Sequence, residues 1–200
     1  MRVIGLTGGI ASGKSLVSEQ LAARGAVLID ADKVGHAAYL KGTQAFDEVV
    51  AAFGEDVVGA DGEVDRKALG GKVFADPEAR HKLESIVWPA IRSKVEEQLE
   101  ALRAKGTEIA VLEAAILIEA DWVPLTDEVW LVTVSPETAR QRLFERNGLS
   151  AADAESRIRA QFTNEKRRTY ADVEIENDGT LEELSAAVSD AWEALAARIG

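Results

Sequence analysis

One string near the N-terminus constrains this chain more than any other: Gly8-Gly9-Ile10-Ala11-Ser12-Gly13-Lys14-Ser15. It is a complete G-x-x-x-x-G-K-[ST] pattern, the loop that cradles the phosphates of a nucleoside triphosphate. Its flanks fit as well. A short apolar run, Val3-Ile4-Gly5-Leu6-Thr7, precedes it, and an amphipathic run with Leu16, Val17 and Leu21 follows, so the spacing predicts strand, loop, helix. The glycines let backbone N–H groups curl round phosphate oxygens without Cβ clashes, and the loop feeds a helix N-terminus with partial positive charge. Lys14 is expected at the β- and γ-phosphates, and the Ser15 hydroxyl as a ligand of the Mg²⁺ that bridges them. The stretch from Gly8 to Leu16 is thus the expected nucleotide-binding segment.

The first helix is predicted from about Lys14 to Arg24, ended by Gly25, and Ala26-Val27-Leu28-Ile29 reads as a second strand. Strand, crossover helix and parallel strand make a right-handed βαβ unit of an α/β protein, with ligands gathered at the carboxyl ends of the strands. Asp30 and Asp32 lie at such an end. Each reads either as a helix cap or solvated loop acid, or as part of a site, and Asp32 is the better placed for chemistry.

Composition narrows the partners. The 200-residue chain is 46% hydrophobic, enough for a real core, and its net charge of −12 disfavours a nonspecific nucleic-acid surface or an anionic-membrane anchor. It has no cysteine, which excludes disulfides, a Cys-ligated zinc and a thiol nucleophile. No apolar run approaches membrane-spanning length and no cleavable signal is visible, so the expectation is a soluble, cytoplasmic protein. Oligomeric state leaves no mark in the sequence.

From Lys33 to about Lys105 the strand pattern stops, and an inserted helical subdomain is expected. Thr43 caps one helix carrying Phe46, Val49, Val50 and Phe53, Asp65 caps another with Leu69 and Val73, and Asp76-Pro77 starts a third. Trp88-Pro89 then reads as the opening of a long helix with Ile91, Val95, Leu99 and Leu102 at helical spacing. His36, His81 and Trp88 are the polar and aromatic candidates here, against a default of surface histidines and a packing tryptophan.

Ile109 to Leu112 forms a third strand ending in Glu113, a carboxylate suited to steady Mg²⁺ through water, with Glu119 a further acid in the segment. Val129 to Val134 is an uninterrupted apolar strand, and Ser135-Pro136 starts a helix. Arg142 and Arg146, four apart, share a face of that helix, with Arg140 on a neighbouring one. Such a pair suits either a solvated face or a clamp on transferring phosphate, and the phosphate loop favours the clamp. Beyond Gly148, Ser150 caps a helix predicted to run towards Lys166, Arg167 and Arg168, a segment suited to a lid. Val173 to Glu176 is a last strand, and Thr180 with Glu183 caps a final packing helix with Leu184, Val188, Trp192 and Leu195.

A phosphate loop alone does not separate switch, motor and metabolite kinase. Asp32-Lys33-Val34-Gly35 imitates a GTPase D-x-x-G, but it follows Lys14 too closely and no N-K-x-D motif exists in the chain. A kinase instead needs an acceptor pocket, a carboxylate at the acceptor hydroxyl and arginines over the transferring group. The string Ile29-Asp30-Ala31-Asp32, then Asp65-Arg66-Lys67-Ala68-Leu69, Val73-Phe74 and Asp76-Pro77, resembles dephospho-coenzyme A kinase. The likeness continues through Val134 to Thr138, Arg142, Arg146, Arg157, Gln161, Lys166 and Ala171-Asp172 to Asn177, nearly the whole chain.

The resemblance implies a P-loop kinase fold, a parallel sheet flanked by helices. Its parts would be a nucleotide-binding core (1–32, 106–139 and 171–200), an acceptor-binding helical subdomain (33–105) and a helical lid (140–170). It implies ATP as donor with Mg²⁺, dephospho-coenzyme A as acceptor and its ribose 3′-hydroxyl as the target, the last step of coenzyme A biosynthesis. Asp32 would be the general base, Lys14 and Arg142 would stabilise the transferring phosphoryl group, with Arg146 beside Arg142 on the clamp face read above, and Asn177 and Gly179 would lie beside adenine. Gly35-His36 stands where Ala-Arg is usual, Trp88 where His is usual, and Ala115 where Pro is usual. At these points the chain resembles the kinase domain of the animal bifunctional coenzyme A synthase. Two other readings use the same loop: a kinase of nucleosides or nucleoside monophosphates, and a non-catalytic nucleotide sensor.

Overall fold

The computed structural model describes residues 1–74 and 76–199. They form two compact units, one of residues 1–29 and 102–200 and one of residues 30–101.

The first unit is built on β1 (Arg2–Gly8), the strand that leads into the phosphate loop. It lies at the centre of a five-stranded sheet with β2 (Val27–Asp30), β3 (Ile109–Glu113), β4 (Glu128–Thr133) and β5 (Val173–Glu176), in the order β2-β3-β1-β4-β5. β1 pairs parallel to β3 and β4, and β4 pairs parallel to β5. Parallel pairing forces crossovers, which are α-helical except between β3 and β4, where turns and a short 3₁₀ helix (Val123–Leu125) make the connection, and the buried inner strands read as continuous apolar runs. Every residue of β4 is buried, and β1 is buried from Val3 onward.

One face packs on α1 (Lys14–Ala23) and α9 (Leu181–Ile199): Ile4, Leu6, Trp130, Val132 and Ile175 meet Val17, Leu21, Leu184, Val188 and Leu195 in a single cluster. α9 starts as predicted from Thr180 and Glu183, whose side chains reciprocally bond each other's backbone N–H at 3.2 and 2.7 Å. The sheet also buries Glu128, at 5% exposure. Arg198 at 2.7 Å, Arg2 at 3.4 Å and the Trp130 indole at 3.0 Å satisfy it, so the charge is paired rather than stranded.

Beyond β4 the chain forms α6 (Pro136–Asn147), α7 (Ala151–Arg159) and α8 (Asn164–Arg168). Ser135 and Ser150 cap α6 and α7 as expected, and Gly148 ends α6 in the left-handed conformation. The single helix predicted from Ser150 to the Lys166-Arg167-Arg168 run is corrected: it breaks between Ala160 and Thr163. Thr163 accepts the Lys166 N–H at 3.2 Å and starts a new helix, while the turn before it is tied to groups distant in sequence.

The second unit is helical, with α2 (Ala31–Ala38), α3 (Gln44–Phe53), α4 (Arg66–Val73) and α5 (Pro77–Ala104), whose last turn enters the first unit. Asp30, Thr43 and Asp65 cap α2, α3 and α4 through their side chains. The expectation that Trp88-Pro89 opens a helix is corrected, because α5 begins at Pro77 and runs through Pro89. A proline inside a helix removes one backbone hydrogen bond. Here the buried stripe Val87, Ile91, Val95 and Leu99 spans the proline, and its packing holds the helix continuous. Among the described residues no helix is long and apolar enough to cross a membrane.

Candidate active site

The loop from Gly8 to Ser15 turns tightly from β1 into α1. Ser12 N–H bonds Gly9 O at 3.2 Å, and Leu16 and Val17 N–H both bond Gly13 O, at 3.0 and 3.3 Å. Two glycines are fixed by space. A Cβ on Gly8 would stand 2.3 Å from Val132 O, and one on Gly13, at φ +90°, would stand 2.2 Å from Asn177 Nδ2. Ala11 is left-handed at φ 60° despite its side chain. That conformation costs on the order of 1–3 kcal/mol and persists only where neighbours over-determine it.

Those neighbours come from α6 and from the end of β5. Arg142 donates through Nη1 to Ala11 O at 3.2 Å and through Nη2 to Asn177 O at 2.7 Å. Asn177, 4% exposed, donates its side-chain amide to Ser12 O at 2.7 Å, and its own N–H to Thr133 O. Asp178 accepts the Ser135 N–H on both oxygens at 2.9 Å and the Thr138 hydroxyl at 2.6 Å, tying the start of α6 to the same loop. Partial burial pushes the Asp178 carboxyl up, but the hydrogen bonds from Thr138 and Ser135 and the charge of Arg142 together bring it below its ordinary range.

Lys14 Nζ lies over the loop, 3.0 Å from Gly8 O and 3.5 Å from Gly9 O. Ser15 Oγ donates to Glu113 Oε1 at 3.2 Å, because β3 lies beside β1 in the register Leu6↔Glu113. A hydroxyl and a carboxylate oxygen held this close form a hard, oxygen-only donor pair, the chemistry Mg²⁺ takes. Leu16 is exposed in the first turn of α1. Gly179 is exposed just before the α9 cap, where a Cβ would stand 2.0 Å from Glu183 Oε2.

The predicted residues therefore separate. Lys14, Ser15, Glu113, Arg142 and Asn177 come together around the loop in the first unit. Arg146 does not join Arg142 on these carbonyls: it is exposed, and its Nε donates to Asn147 Oδ1 at 3.1 Å. Arg140 links α6 to α7 through Glu155 at 3.1 Å and pairs within α6 with Glu137 at 2.8 Å. Asp32 lies in the second unit, exposed in the first turn of α2. The cap of that helix is Asp30, which accepts the Lys33 N–H at 3.0 Å and pairs with Lys33 Nζ at 3.1 Å. Burial raises the Asp30 carboxyl, yet these Lys33 contacts outweigh it and hold the group below its ordinary range. His36 and His81 are exposed and Trp88 is half-buried.

Residue-type patterns missed a second set of contacts on the loop. Gln161 Oε1 accepts the Ile10 N–H at 2.7 Å, and Arg167, only 1% exposed, donates to Glu119 Oε1 at 2.8 Å. Lys166-Arg167-Arg168 reads as one basic run, but successive helical residues point about 100° apart, so one of the three can turn inward. A cavity of about 330 Å³ adjoins this set, with Ile10, Ser12, Val134, Ala139, Ile158 and Phe162 in its wall.

Known proteins give the chain its place. Residues 2–183 match the family model described as dephospho-CoA kinase. The dephospho-CoA kinase of Geobacter sulfurreducens is 49% identical over 96% of this chain and 98% of its own length. Among solved structures, TT1252 from Thermus thermophilus superposes with a TM-score of 0.81 at 34% identity, covering 100% of this chain and 98% of that one. The dephospho-CoA kinase of Campylobacter jejuni does so with 0.73 at 26% identity, covering 98% of each. A phosphate loop of this geometry at the head of a parallel sheet, matched along nearly the whole chain, leaves one assignment: this chain belongs to the dephospho-CoA kinase family.

Proposed function

We propose that the phosphate loop, Arg142 and Asp32 divide between them the work of moving a phosphoryl group from ATP to the ribose 3′-hydroxyl of dephospho-CoA. The chain is a dephospho-CoA kinase, with ATP as phosphoryl donor, acting in the last step of coenzyme A biosynthesis. Family membership selects this acceptor over a nucleoside or nucleoside monophosphate, and an enzyme over a nucleotide sensor. In the reaction the acceptor oxygen bonds to the γ-phosphorus as the bond from that phosphorus to the β–γ bridging oxygen breaks, releasing ADP. The hydroxyl proton passes to Asp32, a carboxylate in the first turn of α2 that the Asp30 cap leaves to other work.

Little covalent chemistry is required of the protein, so positioning and charge dominate. The loop N–H groups and the α1 N-terminus cradle the donor phosphates, and Lys14 moves from the loop carbonyls to the β- and γ-phosphates. Arg142 is the observation that carries the reading. Its guanidinium joins Ala11 O and Asn177 O, which supports its role at the transferring group, while Arg146 reaches that group only in a closed form of the lid, 140–170. Ser15, with Glu113 through water, would hold Mg²⁺, which neutralises phosphate charge when bound. Asn177 and Gly179 lie beside adenine in this reading. The helical segment 33–105 takes the acceptor, a role supported by a separate unit with its own cavity of about 410 Å³ between Thr43, Glu48, Pro89 and Lys94.

The decisive experiment is turnover of ATP with dephospho-CoA, read as ADP release together with phosphorus NMR of the product. Transfer to the 3′-position supports the reading. ATP binding without transfer, or transfer to nucleosides alone, would overturn it.

A further inference from the structure

Gln161 grips the phosphate loop from outside. It stands in the turn between α7 and α8, and its Oε1 accepts the N–H of Ile10, 151 residues earlier, at 2.7 Å. That turn is itself fixed on both sides. Phe162 N–H and Arg167 Nη2 both donate to Glu119 Oε1, at 3.4 and 2.8 Å, and Arg167 Nη1 donates back to Phe162 O. Glu119, Arg167 and the backbone of Phe162 thus close a hydrogen-bonded ring directly beside Gln161.

The ring is expensive in solvation terms. Arg167 is 1% exposed, and its Nε and the Oε2 of Glu119 are buried without a hydrogen-bond partner. Burial lowers the Arg167 guanidinium pKa, and the charge and hydrogen bond of Glu119 only partly restore it. A buried ion pair is weak evidence of a gain in stability over an apolar pair. Its location supplies a different reason. A Cβ built on Gly9 lies 3.6 Å from Arg167 Nη1 and 3.8 Å from Gln161 Oε1, so guanidinium and amide are packed directly against the Gly9-Ile10 turn.

We infer that Gln161, seated by Arg167 and Glu119, is a positioning residue for phosphoryl transfer: it fixes the Gly9-Ile10 turn of the phosphate loop before nucleotide binds. Arg142 and Asn177 hold Ala11 and Ser12, and Gln161 holds Ile10. The loop is therefore clamped at three consecutive residues, and its other N–H donors stand in place before charge develops on the phosphates. Preorganised donors are worth most in the transition state, and a misplacement of about 1 Å costs on the order of a hundredfold in rate. The inference rests on the chain acting as a phosphoryl-transfer enzyme.

Gln161→Met keeps length but removes the acceptor. It should lower kcat by about tenfold to a hundredfold, leave the KM for dephospho-CoA within about twofold, and lower Tm by no more than about 4 °C, the scale of one lost hydrogen bond in a chain of this size. The Ile10 amide, followed by hydrogen exchange, should lose protection in Gln161→Met. Arg167→Lys keeps the charge but loses the two-sided contact, and combined with Gln161→Met it should reduce kcat no further than the worse single variant, since Arg167 acts through Gln161. Where Arg167→Lys does not fold, Glu119→Gln takes its place in the cycle. Wild-type kcat in Gln161→Met, a kcat loss that matches the loss of folded protein, or additive effects in the double variant would each overturn the inference. Failure of the wild-type protein to turn over ATP with dephospho-CoA would sink the functional reading instead, while Ile10 exchange and ATP binding, which need no acceptor, would still decide the clamp.

Discussion

Lys14 and Asp32 carry charges whose removal should be felt in the reaction rather than in the fold. Lys14 Nζ rests on the carbonyls of Gly8 and Gly9, contacts at the rim of the loop and not in the core. Lys14→Ala should therefore reduce kcat by about a hundredfold, the value of one charge clamp on a transition state, with a melting temperature near wild type. A sharp fall in melting temperature with little loss of kcat would make Lys14 structural. For Asp32 the structure sharpens the contrast the sequence left open, since Asp30 does the capping. Asp32→Asn should fold normally and lose roughly 10²–10⁴-fold in kcat, the usual worth of a general base. Asp30→Ala should behave in the opposite sense, destabilising by about 1 kcal/mol through loss of the cap. Steady-state kinetics and thermal melts on the two variants separate the roles, and near-wild-type turnover by Asp32→Asn would remove the base.

At the scale of elements, α6 holds the loop at Ala11. The Ser135 N–H and Thr138 hydroxyl on Asp178, and Arg142 on Ala11 O and Asn177 O, fix the helix against residues 11 and 177–178. Arg142→Lys preserves charge but not the forked donor geometry, and so should depress kcat more than it raises the KM for ATP. Arg146→Lys, exposed and bonded to its neighbour Asn147, should do much less in the same assay. Equal effects would mean that both arginines act together over the phosphate. Strands, caps and most helices were legible because capping residues and apolar periodicity act locally. The two misplaced boundaries have tertiary causes: packing of Val87, Ile91, Val95 and Leu99 carries α5 through Pro89, and the Gln161 and Phe162 contacts break the helix after Arg159.

The molecule as a whole has a predicted acid response. Glu174 is held below its ordinary range by Arg168, against a smaller opposing effect of burial and with help from Thr133, and Asp30 and Asp178 are lowered as well. For a carboxylate whose folded pKa is depressed, the stabilisation is fully present above the unfolded value of about 4 and is lost as pH falls through the lowered folded value. Melting temperature should therefore drop as pH falls below about 4. Glu174→Gln, which breaks the pair with Arg168 at 2.7 Å, should show a shallower drop than wild type. Parallel profiles would remove Glu174 from the cause.

By itself the sequence determined the phosphate loop, the α/β alternation, the helical insertion, the caps and the acceptor chemistry, because each rests on residue types at fixed local spacing or on an ordered series of motifs. Strand order, the inward turn of Arg167 and the grip of Gln161 on Ile10 were decided only in three dimensions. They join residues from 43 to 151 positions apart, and no local pattern encodes which of three adjacent basic side chains meets Glu119. Glu128 follows the same logic, since an acid beginning an apolar strand reads as solvated until Arg198, 70 residues on, arrives to pair with it.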